Sequence, residues 1–329
     1  MTNIFKFKKV IITGASGFIG GSLAKRLLSD GVKVYGIGRN REKLDDLKQY
    51  GDFIPIEARF EQYNQLPEMI SERDFDMFWH LAWQGTSKST YNDYNVQVEN
   101  IKVACDAISS AAKMGCQNSS MSGSIYQHCA EPCDQTFNPM VYGVIKKCAL
   151  DLFKNLAYKN SINCSNIIIS NTFGVGDKLN TAIVFFIRRL LANEPLNLVS
   201  GDCLDDWIYI DDMVEGILCA ASLLASRPLE PNNVCKNNYS GNGHNAYFNG
   251  YHKDYYIGNR NITTFKEKLE TMKSVLSSKS ELKFGTYPQT SRVDYSNFDL
   301  EALCRDTGFQ VRTDFVTNIL KTAQWLNSF

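Results

Sequence analysis

The sequence carries no excess charge of either sign. Its 35 Lys and Arg are matched by 35 Asp and Glu, so no global field draws it to nucleic acid or to an anionic membrane, and any anion it takes must be held by local groups. No apolar run is long enough to cross a bilayer, and Met1-Thr2-Asn3-Ile4-Phe5 lacks the pattern of a signal peptide. Ten cysteines are present, but their spacing forms no disulfide framework, which points to a reducing cytoplasm. A metal site is also missing: Cys129 and Cys133 lie close together, yet no second cysteine pair or histidine cluster completes a zinc set. The stretch Pro231 to Asp254 has no periodicity and reads as a long loop, with His244 and His252 as ordinary surface residues.

What is present begins at the N-terminus. Lys9-Val10-Ile11-Ile12 is the apolar run of a buried parallel strand, and Ser22 to Leu28 reads as an amphipathic helix. Between them lies Thr13-Gly14-Ala15-Ser16-Gly17-Phe18-Ile19-Gly20. In that strand, turn and helix setting, Gly14 permits the tight turn, Gly17 lets backbone approach a pyrophosphate, and Gly20 lets the helix pack closely, with the anion at the helix N-terminus. Ser16, Phe18 and Ile19 share the turn and are cofactor candidates with it.

Strand and helix signals then alternate as in repeated βαβ units. Strands are expected at 32–37, 53–56, 77–81, 117–120 and 165–169, with helices at 96–112 and 141–158. The reading is α/β, a doubly wound parallel sheet of Rossmann type with a smaller C-terminal α/β substrate lobe. Residues 1–175, with part of 205–235, form the dinucleotide-binding domain, and 176–329 mainly the substrate lobe; 329 residues at 44% apolar content suffice for both. A further helix is expected around 182–192 and a short strand at 196–199.

A second motif is Tyr142-Gly143-Val144-Ile145-Lys146. Tyr-x-x-x-Lys alone is weak, but the two side chains sit one helical turn apart on one face. The ammonium near the phenol would then stabilise its ionised form and bring its pKa down, making the tyrosine a general acid or base.

Around that motif stand Gln117-Asn118-Ser119-Ser120, Ser122-Gly123-Ser124-Ile125-Tyr126 and Asn138-Pro139-Met140-Val141-Tyr142. With His80-Leu81-Ala82, Asn95-Val96, Asn171-Thr172-Phe173-Gly174 and Trp207-Ile208-Tyr209-Ile210-Asp211-Asp212, the chain resembles the extended short-chain dehydrogenase/reductase family, of nucleotide-sugar epimerases, dehydratases and reductases. The resemblance runs from about Lys9 to Trp325. It implies Ser122, Tyr142 and Lys146 as catalytic residues, Lys146 also bonding the nicotinamide ribose and Ser122 orienting the reacting oxygen. Leu81, Ala82, Asn95, Tyr142 and Lys146 join the cofactor set. Gln84, Ser124, Asn171 and Arg292 are substrate candidates, and the helices 96–112 and 141–158 the implied homodimer surface.

Cofactor choice turns on the end of the second strand, where an acid would bond the ribose 2′-hydroxyl of NAD and an arginine would take a 2′-phosphate. Here stands Arg39-Asn40-Arg41, and Arg59 replaces a frequent aspartate of the family. NADP(H) is therefore favoured and NAD(H) possible. Dehydratases of this family carry Thr-Asp-Glu where this chain has Ser122-Gly123-Ser124, so water elimination lacks a proton shuttle. Relatives often place an arginine where Asp205 precedes Asp206-Trp207, and another where Ile168 stands; Arg188, Arg189 and Arg292 are the candidate substitutes. The expected activity is reduction of a keto group on a nucleotide-activated deoxysugar. A 4-epimerase with bound NAD is the alternative, and a non-catalytic cofactor sensor a third reading.

Overall fold

The structure is a computed structural model, and it describes residues 6–87, 89–128, 140–177, 181–227, 250–287 and 292–328. Its frame is set by β1 (Lys9–Thr13), where Val10, Ile11 and Ile12 are all fully buried. Val10 and Ile12 point into one apolar layer and Ile11 into the other, as a strand covered on both faces requires. The strand feeds α1 (Phe18–Ser29), which buries Leu23, Ala24, Leu27 and Leu28 at helical spacing. β2 (Lys33–Gly38) returns beside β1, and the short α2 (Arg41–Asp45), capped by the Asn40 side chain on Lys43 N, leads toward β3 (Phe53–Glu57).

After the one-turn α3 (Leu66–Met69), β4 (Met77–His80) pairs with the opposite edge of β1. The helix α4 (Tyr94–Lys113), started by Asp93, precedes β5 (Asn118–Ser124); α5 (Val141–Lys159) precedes β6 (Asn163–Ile169). With β11 (His252–Ile257) at one edge, the order β11-β6-β5-β4-β1-β2-β3 is parallel throughout. Chain direction across the sheet therefore reverses between β1 and β4, the crevice where doubly wound sheets bind ligands. α4 and α5 cover one face, and α1 covers the other together with α7 (Ile210–Ala225).

The remaining elements are short: β7 (Asn171–Phe173) with β10 (Trp207–Tyr209), β8 (Leu196–Asn197) with β13 (Leu282–Lys283), and β9 (Leu204–Asp205) with β12 (Thr263–Thr264). The helices α6 (Ala182–Leu191), α8 (Phe265–Val275), α9 (Ala302–Thr307) and α10 (Phe315–Leu326) complete this part. Among the described residues no helix is long and apolar enough to cross a membrane, and no cluster of three or more His, Cys, Asp or Glu is placed to hold a metal. Cys129, Cys133 and His244 lie outside the described residues.

The expected doubly wound sheet is present, with three corrections. β5 continues through Ser124 rather than ending at Ser120, so Ser122 and Ser124 are strand residues. β8 spans two residues, not the four expected. The end of the expected 231–254 loop is β11 (His252–Ile257), the outermost strand, paired with β6 in the register Tyr255 to Ile167. His252 accordingly belongs to a strand: its Nδ1 meets the Cys164 thiol at 3.2 Å and its Nε2 the Asp254 carboxylate at 2.6 Å.

Candidate active site

At the carboxyl end of β1 the chain turns sharply through Gly14, whose φ of +73° is the left-handed region and whose added Cβ would lie 2.9 Å from the Ala82 amide nitrogen. A Cβ on Gly20 would collide with the Gly14 carbonyl oxygen, so helix and turn touch through backbone. Gly17 is the N-cap of α1 and offers no side chain to the first-turn amides. Those amides carry the positive end of the helix dipole with no internal partner. This is a cradle fitted to a dinucleotide pyrophosphate. Ser16, Phe18 and Ile19 line it half-buried, and Leu81 and Ala82 lie opposite on the β4 end.

The crevice wall is braced by a polar contact between strands. His80 Nδ1 and the Thr13 hydroxyl are 3.0 Å apart, and the same hydroxyl accepts from Ala82 N–H at 3.2 Å. Burial pushes the His80 imidazole down to about 3, which keeps it neutral. The sequence marked His80 only as the end of a strand.

On the other side, α5 lays Tyr142 and Lys146 against the end of β5. Lys146 Nζ donates to the Ser122 carbonyl at 2.8 Å and its hydroxyl at 3.3 Å. The ammonium also lies 3.7 Å from the centre of the Trp83 ring. Burial pushes Lys146 down to about 7. Tyr142 packs in an aromatic group, 5.0 Å from the Tyr91 ring, 6.0 Å from Trp83 and 6.4 Å from Tyr126. Burial raises its pKa, the neighbouring Tyr91 pushes the same way, and a hydrogen bond with Ser124 pulls back. The expected lowering of the phenol by Lys146 is thus overturned: the ammonium is turned to Ser122, and desolvation dominates.

The loop carrying Trp83 is pinned by two buried amides that sequence reading did not single out. Gln97 accepts from Trp83 Nε1 at 3.2 Å and donates to the Gly85 and Thr90 carbonyls. Asn100 accepts from Gln84 N–H at 3.0 Å and donates to the Gln84 carbonyl. Their spacing along α4 toward a loop containing Gly85 at φ +78° was the available signal. The Gln84 side chain donates to the Val96 carbonyl at 3.3 Å, and Asn95 is exposed in the first turn of α4.

The other expected residues are placed as follows. Arg39 is exposed directly after β2, its guanidinium 5.5 Å from the Phe60 ring centre, and Arg59 is exposed after β3. Asn171 Nδ2 donates to Asp205 at 2.5 Å. Asp206, fully buried, accepts from the Tyr256 hydroxyl and from Asn259 and Arg260 N–H. Arg292 pairs with Asp202 at 3.3 Å on the surface, Arg189 with Glu194, and Arg188 is exposed.

A strand-turn-helix anion cradle and a Ser, Tyr and Lys cluster thus sit at opposite sides of one crevice. The model of the NAD dependent epimerase/dehydratase family matches residues 10–234, which include both. The chain belongs to this family. It is an enzyme of the extended short-chain dehydrogenase/reductase type. Among curated proteins it is similar to protein CapI of Staphylococcus aureus, 24% identical over 96% of this chain and 98% of that protein. It is also similar to CDP-abequose synthase of Yersinia pseudotuberculosis, 28% identical over 65% of this chain and 73% of the other. Two solved structures share the fold across nearly the whole length. One is a UDP-N-acetylglucosamine 4-epimerase from Methanobrevibacter ruminantium M1 in complex with UDP-N-acetylmuramic acid, with TM-score 0.73 and 19% identity over 98% of this chain and 99% of that one. The other is MoeE5 in complex with UDP-glucuronic acid and NAD, with TM-score 0.72 and 17% identity over 97% and 99%.

Proposed function

We propose that this family member is an NADPH-dependent reductase of a keto group on a nucleotide-activated deoxysugar. The observation that carries the reading is Arg39 at the end of β2, exposed where an acid would select the 2′-hydroxyl of NAD. Its planar fork suits a 2′-phosphate, and the exposed Arg59 after β3 would add charge, while Arg41 is paired with Asp45. The turn of Gly14, Ser16, Gly17, Phe18, Ile19 and Gly20 would hold the pyrophosphate on the α1 amides, with Leu81, Ala82 and Asn95 on the β4 and α4 side. A reduced nicotinamide held there supplies the hydride.

The protein supplies the proton and the geometry. Tyr142, held protonated by burial, would donate its phenolic hydrogen to the substrate oxygen, the role suited to reduction. The Ser122 hydroxyl would orient that oxygen, and Lys146, which holds Ser122, would bond the nicotinamide ribose. Gln84, Ser124, Asn171 and Arg292 would face substrate. Asp205, held by Asn171, leaves no arginine clamp at that position, so the nucleotide's phosphates would be held elsewhere on this wall.

The second reading, a 4-epimerase retaining NAD, is favoured by the full-length match to several 4-epimerases, among them UDP-glucuronate 4-epimerase 1 of Arabidopsis thaliana, 22% identical over 97% of this chain. We infer a homodimer too, because Tyr94 and Val98 on α4 and Val144 and Leu152 on α5 form an exposed apolar stripe. Nucleotide-linked keto-deoxysugars mixed with the enzyme and NADPH test the central reading. Stoichiometric loss of reduced nicotinamide with alcohol formation is expected. Interconversion of 4-epimers without added cofactor would replace it with the epimerase.

A further inference from the structure

Lys146 is an ammonium at 2% exposure whose hydrogen bonds go to the Ser122 carbonyl and hydroxyl, both neutral. Among the described residues no carboxylate pairs with it. An unpaired buried cation is costly unless something else offers negative potential. Two ring faces lie in range of Nζ, that of Trp83 at 3.7 Å from the ring centre and that of Tyr142 at 5.9 Å, so Trp83 is the nearer by far. Trp83 is not free to drift: its indole N–H is held by Gln97, itself fully buried and tied to two loop carbonyls. It also meets the Tyr142 ring in a T-shaped arrangement, so one indole touches both members of the Tyr-x-x-x-Lys pair.

We propose that Trp83 is a positioning residue for Lys146, its ring face standing in for a missing carboxylate and holding the ammonium on Ser122. The other groups around Lys146 offer less. His80 on β4 is neutral and opposes added positive charge, Ser122 on β5 is uncharged, and the ring of Tyr142, which stays protonated with Tyr91 packed behind it, lies at 5.9 Å from Nζ against 3.7 Å for Trp83. The desolvated lysine, already down to about 7, is poised where a small loss of ring attraction changes its charge.

The importance of Trp83 for turnover rests on the reading of Lys146 as an active-site residue, but its effect on the lysine does not. The test is the titration of Lys146 in resting protein labelled with 13C at lysine Cε, assigned through Lys146→Arg, in wild type, Trp83→Leu and Trp83→Phe. Leucine keeps the cover but removes the quadrupole, so the midpoint is expected to fall by about one pH unit, tenfold in the charged-to-neutral ratio. Phenylalanine falls between. The alkaline limb of turnover should shift with it, which a purely structural role would not produce. An unmoved or raised midpoint overturns the proposal, since Trp83 would then act only by burial. Should the leucine variant not fold, the phenylalanine midpoint decides by the same criterion. A Lys146→Ala enzyme with full turnover would instead sink the catalytic reading and leave the Trp83 result standing.

Discussion

Lys146 Nζ and Ser122 are joined twice, at 2.8 Å to the carbonyl and 3.3 Å to the hydroxyl. The contact ties α5 to the end of β5 and commits the ammonium's hydrogen bonds to Ser122, with the Tyr142 ring centre 5.9 Å away. With desolvation then governing Tyr142, the phenol rests as a proton donor. That state suits a carbonyl about to become an alcohol.

Replacing Tyr142 by phenylalanine removes the donor and keeps the ring that packs on Tyr91 and Trp83. Turnover is expected to fall about 10²- to 10⁴-fold, while NADPH affinity and thermal midpoint stay near wild type. Steady-state kinetics beside a fluorescence titration separate the two; near-full turnover would remove the acid role.

Exchanging Arg39 for aspartate places a carboxylate at the end of β2. NADPH binding should weaken about tenfold or more, the loss of one charge-assisted contact, and NADH binding should strengthen. Unchanged selectivity in parallel titrations would remove the cofactor argument.

His80 predicts an acid sensitivity. Its folded pKa of about 3 lies below the ordinary 6.5, so between those values the unfolded chain binds the extra proton. Stability from this group is therefore complete above about 6.5 and is lost as pH falls toward 3. Urea unfolding followed from pH 7 to pH 4.5 should show this decline in wild type and a flatter course in His80→Asn, which cannot take up the proton. Equal slopes would show that His80 is not the group responsible.

The stripe of Tyr94, Val98, Val144 and Leu152 predicts a dimer through α4 and α5. Sedimentation should give a dimer for wild type and a monomer for Val98→Asp with Leu152→Asp, both exposed positions that leave the core intact. A wild-type monomer at micromolar concentration would refute the interface.

Much of the frame was legible because it is local. Val10 to Ile12 followed by Gly14, Gly17 and Gly20 is a contiguous strand, turn and helix, and Tyr142 with Lys146 is one helical turn. β11 was not legible: His252, Lys253 and Asp254 are polar because that end of an edge strand faces solvent, and only Tyr255 to Ile257 show the buried run. The direction of the Tyr142 shift was missed for a different reason. It depends on how deeply the phenol is buried, and that is set by Tyr91, Trp83 and Tyr126 on elements distant in sequence. Residues such as Asn100, which pins the Gln84 backbone, and His80, which meets Thr13 between strands, carry no periodicity to reveal them.

Hydride delivery from NADPH to a sugar carbonyl can be followed with deuterium. With NADPH deuterated at the transferable nicotinamide position and a nucleotide-linked keto-deoxysugar, one deuterium is expected on the new carbinol carbon and one oxidised cofactor released per product. Interconversion of 4-epimers with no deuterium in the sugar, and NAD retained by the purified protein, would contradict it.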